Sequence, residues 1–134
     1  MNEPTAFQRL NPIIQEELYR MKWTDLRSIQ VDAIHAILGG NKHLIISANT
    51  AGGKTEAAFL PILSEIVEDH TSSVRALYVG PLKALINDQF RRLEELCERA
   101  EIPVHKWHGD VGQSKKHQVL KSPGGVLLIT PESI

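Results

Sequence analysis

Residues 44–63 read "LIISANTAGGKTEAAFLPIL", and the rest of the chain is best read outward from them. An apolar, β-branched run ends at Ser47. Ala48, Asn49, Thr50, Ala51, Gly52 and Gly53 come next, then Lys54 and Thr55, and then apolar residues at helical spacing. A strand that ends in a glycine-containing turn and opens a helix aims backbone N–H groups and the positive end of the helix at one point. That arrangement receives phosphate. In such a cradle the Lys54 ammonium reaches the β- and γ-phosphates of a nucleotide, and the Thr55 hydroxyl ligates its Mg²⁺. The alternative is a turn that merely joins strand to helix, which gives no reason for a lysine beside two glycines.

The bulk properties narrow the setting. A chain of 134 residues is one domain or part of one. Its formal net charge of −1 excludes a generally basic surface, so any nucleic-acid site must be local. The single cysteine, Cys97, excludes an internal disulfide and fits a reducing compartment. No apolar run approaches the ~20 residues of a membrane span. The opening "MNEPTAFQRL" lacks a basic-then-apolar signal pattern. A cytoplasmic protein without a membrane segment is the expectation.

Along the chain, Asn11-Pro12 predicts an N-cap and first turn, with a helix through Ile13, Ile14, Leu18 and Met21. A second helix is expected over 29–38, ended by Gly39-Gly40. Strands are then expected at 43–47, 75–79, 104–107 and 126–130. Helices alternate with them at 54–68, 82–100 and 113–120. The stripe from Leu82 through Leu85, Ile86, Phe90 and Leu93 to Leu96 and Cys97 marks the longest helix. Pro61 should bend the helix that contains it. Short β-branched strands alternating with helices predict an α/β fold with a parallel sheet.

The phosphate cradle departs from the general pattern Gly, four residues, Gly-Lys-[Ser/Thr], because Ala48 stands at the first glycine. "ANTAGGKT" instead resembles the first motif of superfamily 2 helicases, A-x-x-G-x-G-K-T, with Ala51 as a departure where glycine is usual. Upstream, "WTDLRSIQVDAI" resembles the glutamine motif of DEAD/DEAH-box helicases, with Gln30 lying 24 residues before Lys54. A primary amide can pair with adenine N6 and N7 together, whereas guanine presents O6 there. Trp23 or Arg27 could pack on the base, although Trp23 fits a core position equally well. Downstream, "VGPLKALINDQ" resembles motif Ia, "WHGDV" the Gly-Asp segment seen in Lhr-type proteins, and "ITPES" motif Ib. These motifs stand in the family's order and cover nearly the whole chain.

The resemblance implies an incomplete RecA-like P-loop NTPase domain, the first of two in a helicase, preceded by two N-terminal helices. Residues 1–40 would form the glutamine-motif region and residues 41–134 the P-loop core. ATP and Mg²⁺ are the implied cofactors, with Gln30 and residues 48–55 binding the nucleotide and Lys54 and Thr55 serving catalysis. Pro81, Leu82, Lys83, Gly109, Asp110, Thr130, Pro131 and Glu132 would hold single-stranded or duplex DNA or RNA, independently of base sequence. The remainder of the helicase chain is the other implied partner, because hydrolysis needs an Asp-Glu pair and a second RecA-like domain that these residues do not contain. Without those partners the cradle strand should be poorly covered and the chain should not turn ATP over. Another P-loop enzyme, such as a small-molecule kinase, and a non-catalytic helicase remnant acting as a binding module are the competing readings. A basic cluster of Lys106, His108, Lys115, Lys116, His117 and Lys121 offers further backbone contacts or a solvated helix face. His105 and His108 are expected on opposite faces of a strand, which argues against joint metal ligation.

Two substitutions test the nucleotide reading. Lys54→Ala should remove most ATP affinity, and Gln30→Ala should narrow a preference for ATP over GTP while leaving triphosphate binding in place. Calorimetry showing unchanged ATP binding by Lys54→Ala, or equal affinity of the unmutated chain for both nucleotides, would refute the respective assignment.

Overall fold

The computed structural model describes residues 5–40, 43–47, 54–69 and 72–134. They fall into two compact units, residues 1–68 and residues 69–134.

The first unit is helical: α1 (Ala6–Arg9), α2 (Pro12–Arg20), α3 (Ser28–Leu38) and α4 (Lys54–Ile66). The sequence predicts the last three and misses α1. Thr5 starts α1 with a reciprocal cap: its hydroxyl accepts from the Gln8 N–H at 3.2 Å, and the Gln8 side-chain oxygen accepts from the Thr5 N–H at 2.9 Å. Asn11 caps α2 as expected, its Oδ1 accepting from the Ile13 N–H at 3.0 Å with Pro12 in the first turn. The Asn11 N–H donates to Ser64 Oγ at 3.1 Å, which ties the α1–α2 joint to α4. Leu10, Ile14, Leu18, Ile34, Leu60 and Leu63 are fully buried and form the core of this unit. Each such side chain contributes roughly 1.5–3 kcal/mol of burial. Pro61 is itself buried inside α4, which continues past it to Ile66.

Residues 43–47 differ from their expected strand. They pair with no neighbour among the described residues, and Ile45 is 93% exposed. An apolar β-branched run favours extended backbone, but a strand exists only through a ladder to a neighbour.

The second unit is α/β: β1 (Ala76–Val79), α5 (Lys83–Cys97), β2 (Val104–Trp107), α6 (Gln113–Lys121), β3 (Val126–Ile129) and a 3₁₀ turn (Pro131–Ser133). The three strands are parallel in the order β1-β3-β2. The last strand in sequence therefore lies in the middle, and Val126 and Leu128 within it are fully buried. Val79, Ile129 and Trp107 lie level with one another in the register. Gly80, Thr130 and His108 consequently leave the sheet along one carboxyl edge. Hydrogen bonds from the Gly80 N–H to the Ile129 carbonyl (3.1 Å) and from the Thr130 N–H to the Trp107 carbonyl (3.3 Å) close that edge. α5 buries Ile86, Leu93, Leu96 and Cys97. Leu82 departs from the predicted stripe: it is the N-cap, extended at φ −126°, and it is 65% exposed.

Entry into β3 depends on Gly125. Its φ of +57° is left-handed, and a Cβ there would lie 2.0 Å from the Pro103 carbonyl oxygen. The Gly125 carbonyl also accepts from the N–H groups of Arg75 and Ala76, at 2.8 and 3.1 Å, and so aligns β1. Gly125→Ala should destabilise the chain by at least ~1–3 kcal/mol. Urea unfolding followed by far-ultraviolet circular dichroism measures this, and an unchanged midpoint would contradict the assigned backbone geometry.

Candidate nucleotide and nucleic-acid sites

Residues 48–53 of the expected cradle lie outside the described residues. The helix expected after them is present: α4 begins at Lys54, which is exposed, and Thr55 sits half-buried in the same first turn. The positive end of α4 and the Lys54 charge therefore coincide.

Gln30 is buried, at 3% exposure, in the first turn of α3. Its side-chain oxygen accepts from the Arg27 N–H at 2.9 Å. The amide thus holds the bend through which the chain enters α3. On the neighbouring face of that helix, Val31 and His35 join Phe7, Tyr19, Trp23 and Leu26 around a cavity of about 510 Å³. Phe7 and Tyr19 meet edge to face there, with centroids 5.7 Å apart. Trp23 belongs to this cavity, and Gln30 does not line it. Sequence reading missed the cavity, because its aromatic residues come from three separate segments.

The other expected site residues gather at the carboxyl edge of the sheet. Pro81 and Leu82 lie after β1 and are exposed, and Lys83 opens α5. The N-terminus of α5 has no side-chain cap and no acidic residue in its first turn. Gly109 and Asp110 lie after β2, and both are exposed. Lys83 Nζ donates to Asp110 Oδ1 at 3.2 Å, which joins the two loops. Pro131 and Glu132 lie after β3 and are exposed. Thr130 is fully buried, and its hydroxyl lies 3.2 Å from Ser133 Oγ. The structure therefore brings the three segments to one edge while turning the Thr130 side chain inward.

His108 is not the surface cation that the basic cluster suggested, being 2% exposed. Its Nδ1 accepts from the Asp110 N–H at 3.1 Å, and its Nε2 lies 3.0 Å from Asn87 Oδ1. A backbone N–H can only donate, so Nδ1 carries no proton, and the neutral ring donates from Nε2 to Asn87. Burial lowers the His108 pKa below the ordinary value, and Lys106, Lys83 and Lys116 push the same way, against Asp110. Two lysines of the same cluster are also engaged. Lys106 donates to Asn87 Oδ1 at 3.3 Å and lies over Phe90 at 5.0 Å, while Lys116 lies over Trp107 at 5.4 Å. Lys115, His117 and Lys121 are exposed. Asn87 lies within the stretch "VGPLKALINDQ" that resembles motif Ia, but sequence reading assigns it no role of its own.

The DEAD/DEAH box helicase family model matches residues 27–134. The chain is 33% identical, over 93% of its own length, to the ATP-dependent helicase Lhr-Core of Methanothermobacter thermautotrophicus, and it covers 16% of that relative. The structure of Mycobacterium smegmatis helicase Lhr bound to ssDNA and AMP-PNP superimposes with a TM-score of 0.77 at 31% identity, covering 97% of this chain and 18% of that one. The DUF1998 helicase MrfA bound to DNA gives a TM-score of 0.77 at 25% identity, covering 98% and 18%. The chain therefore spans less than a fifth of the length of these relatives. Among the described residues no helix is long and apolar enough to cross a membrane.

Two histidines of the second unit, His105 and His108, make stability depend on pH. His105 Nε2 is buried without a hydrogen-bond partner among the described residues, and burial lowers the His105 pKa as it does that of His108. An unfolded histidine therefore takes up a proton before the folded one does. Stability is complete above the ordinary value of 6.5 and falls as the pH drops below it. Urea midpoints at about pH 7.5 and about pH 5.5 should differ in that sense, and His105→Phe should reduce the difference. Equal acid sensitivity of the two proteins would show that His105 does not stay neutral in the fold.

Proposed function

Because the chain belongs to the DEAD/DEAH box helicase family, we propose that it is the ATP- and nucleic-acid-binding part of an ATP-dependent helicase or translocase acting in the cytoplasm. Residues 1–40 serve as its glutamine-motif region and residues 41–134 as its P-loop core. The remainder of the helicase completes the hydrolytic machinery. A small-molecule kinase would leave the family match without account.

The observation that carries the nucleic-acid half is the carboxyl edge of the sheet. Three parallel strands end level there, and each delivers one of the expected contact segments. In open α/β sheets this edge is where ligands bind. The uncapped N–H groups at the start of α5 suit a backbone phosphate, and Lys83 adds a charge beside them. Gly109 lies beside that lysine: a Cβ there would sit in ordinary contact with Lys83 Nζ, at 3.4 Å. Phosphate contacts of this kind read no base, which suits an enzyme that moves along a strand of any sequence. Pro131 and Glu132 extend the track after β3, and Thr130, whose N–H and hydroxyl are engaged within the chain, holds their start.

The nucleotide half rests on the first turn of α4. Lys54 and Thr55 fit ATP and Mg²⁺ there: an exposed ammonium suits the phosphates, and a hydroxyl is a suitable hard oxygen ligand. The metal, when bound, would neutralise charge on the phosphate oxygens. Residues 48–53 would supply the surrounding backbone N–H groups. Gln30 reads adenine in this scheme.

Photocrosslinking of an oligothymidylate tests the track. Adducts should map to Pro81–Lys83, Gly109–Asp110 and Pro131–Glu132, and Lys83→Ala should reduce them. Adducts confined to other segments would move the strand off this edge.

A further inference from the structure

Resting on the strand-binding edge proposed above, a second, buried layer can be read beneath it. Lys83 and Asn87 are one turn apart on α5 and so share a face of that helix. Each makes one rung to the loop after β2. The outer rung is the exposed ion pair from Lys83 Nζ to Asp110 Oδ1 at 3.2 Å. The inner rung is the partly buried bond between His108 Nε2 and Asn87 Oδ1 at 3.0 Å. The same imidazole accepts from the Asp110 N–H through Nδ1 at 3.1 Å, while the Val111 N–H donates to the His108 carbonyl at 3.1 Å. The inner rung and the turn therefore converge on one neutral ring, and the outer rung extends from that turn.

We infer that His108 is a positioning residue for strand binding, whose neutral imidazole locks the Gly109–Asp110 turn to the start of α5 and whose protonation releases it. The chemistry is a matter of donors and acceptors. Protonation adds an N–H at Nδ1, which then faces the N–H of Asp110, so two donors meet where a donor met an acceptor. A buried donor left without an acceptor is costly, and the turn must open to relieve it. Asp110 then no longer holds Lys83 in place. The charged groups around the ring are Asp110 in the turn, Lys83 on α5, Lys106 on β2 and Lys116 on α6. Three of these four are cations, so the surroundings oppose a charged ring, and the lock holds at neutral pH. Added positive charge elsewhere would ordinarily tighten binding to a polyanion as the pH falls. The lock predicts the opposite sign.

The test is the affinity of the chain for a short oligothymidylate, measured by fluorescence anisotropy between about pH 7.5 and about pH 5.5. The unmutated chain should bind about tenfold more weakly once the pH falls well below 6.5. His108→Asn places an amide oxygen where it can accept from the Asp110 N–H and has no proton to gain. It keeps the turn but loses the bond to Asn87, so at neutral pH it should bind between the unmutated chain and His108→Leu, and it should hold that affinity unchanged in acid. His108→Leu, which offers no acceptor, should bind weakly throughout. Lys83→Ala separates the lock from the edge it serves. If Lys83→Ala binds weakly but His108→Asn tracks the unmutated pH profile, the positioning role of His108 is overturned and the strand-binding edge stands. If Lys83→Ala binds unchanged, the edge itself is overturned, and the role of His108 with it. A chain whose binding tightens steadily in acid would also overturn the lock.

Discussion

The second unit depends on the central strand Val126–Ile129. β1 and β2 both hydrogen-bond to it and not to each other. Parallel pairing has to be covered and satisfied along its length, and here the coverage is greatest on the strand that holds the other two. Its register does more than stabilise. Because Val79 and Trp107 are both level with Ile129, the loops after three different strands start at the same height. Gly125 sets where β3 begins, since its carbonyl takes two N–H groups from the start of β1. Geometry at the amino edge of the sheet therefore fixes the alignment of the contact segments at the carboxyl edge.

Under the proposed function, that alignment would let a chain of net charge −1 suit a polyanion. The attraction does not come from an excess of surface cations. On the proposed reading it is concentrated in the uncapped start of α5 and in one lysine beside it. The nearby lysines that look like a basic patch in the sequence are partly committed to aromatic rings and to Asn87. His108 contributes as a neutral hydrogen-bonding strut, a role that burial favours and the neighbouring lysines reinforce.

Much of this is legible in the amino-acid sequence. The α5 stripe, the Asn11-Pro12 helix start and the strands at 104–107 and 126–129 come from local periodicity and turn chemistry, which act over a few residues. So do Lys54 at a helix start and the loops at Gly80 and Gly109. The features that escape it depend on tertiary partners. Periodicity says which face of a strand is apolar, not which strand lies beside it, so the central place of β3 could not be read. The run at 43–47 has strand composition but no ladder among the described residues. Leu82 has the right spacing for the α5 stripe but lies before the helix begins. Gln30 and His108 are polar letters in motifs, and nothing in the letters reveals that both are buried. The cap of α1, by contrast, was readable: Thr5 and Gln8 have the spacing of a reciprocal cap, and only the brevity of the helix hid it.

The Lys83–Asp110 pair has a consequence for how binding would be measured. A lysine that meets a phosphate from open solvent displaces a small cation from the nucleic acid, and the number of such displacements is conventionally read from the slope of log affinity against log salt. Lys83 already has an internal anion. An ammonium has three donors, so a phosphate can share it with Asp110, but it then meets a lysine whose charge is already offset within the chain. Such a contact displaces less than one small cation and would be under-read in a salt titration. A count of phosphate contacts obtained that way would fall short of the true number at this edge.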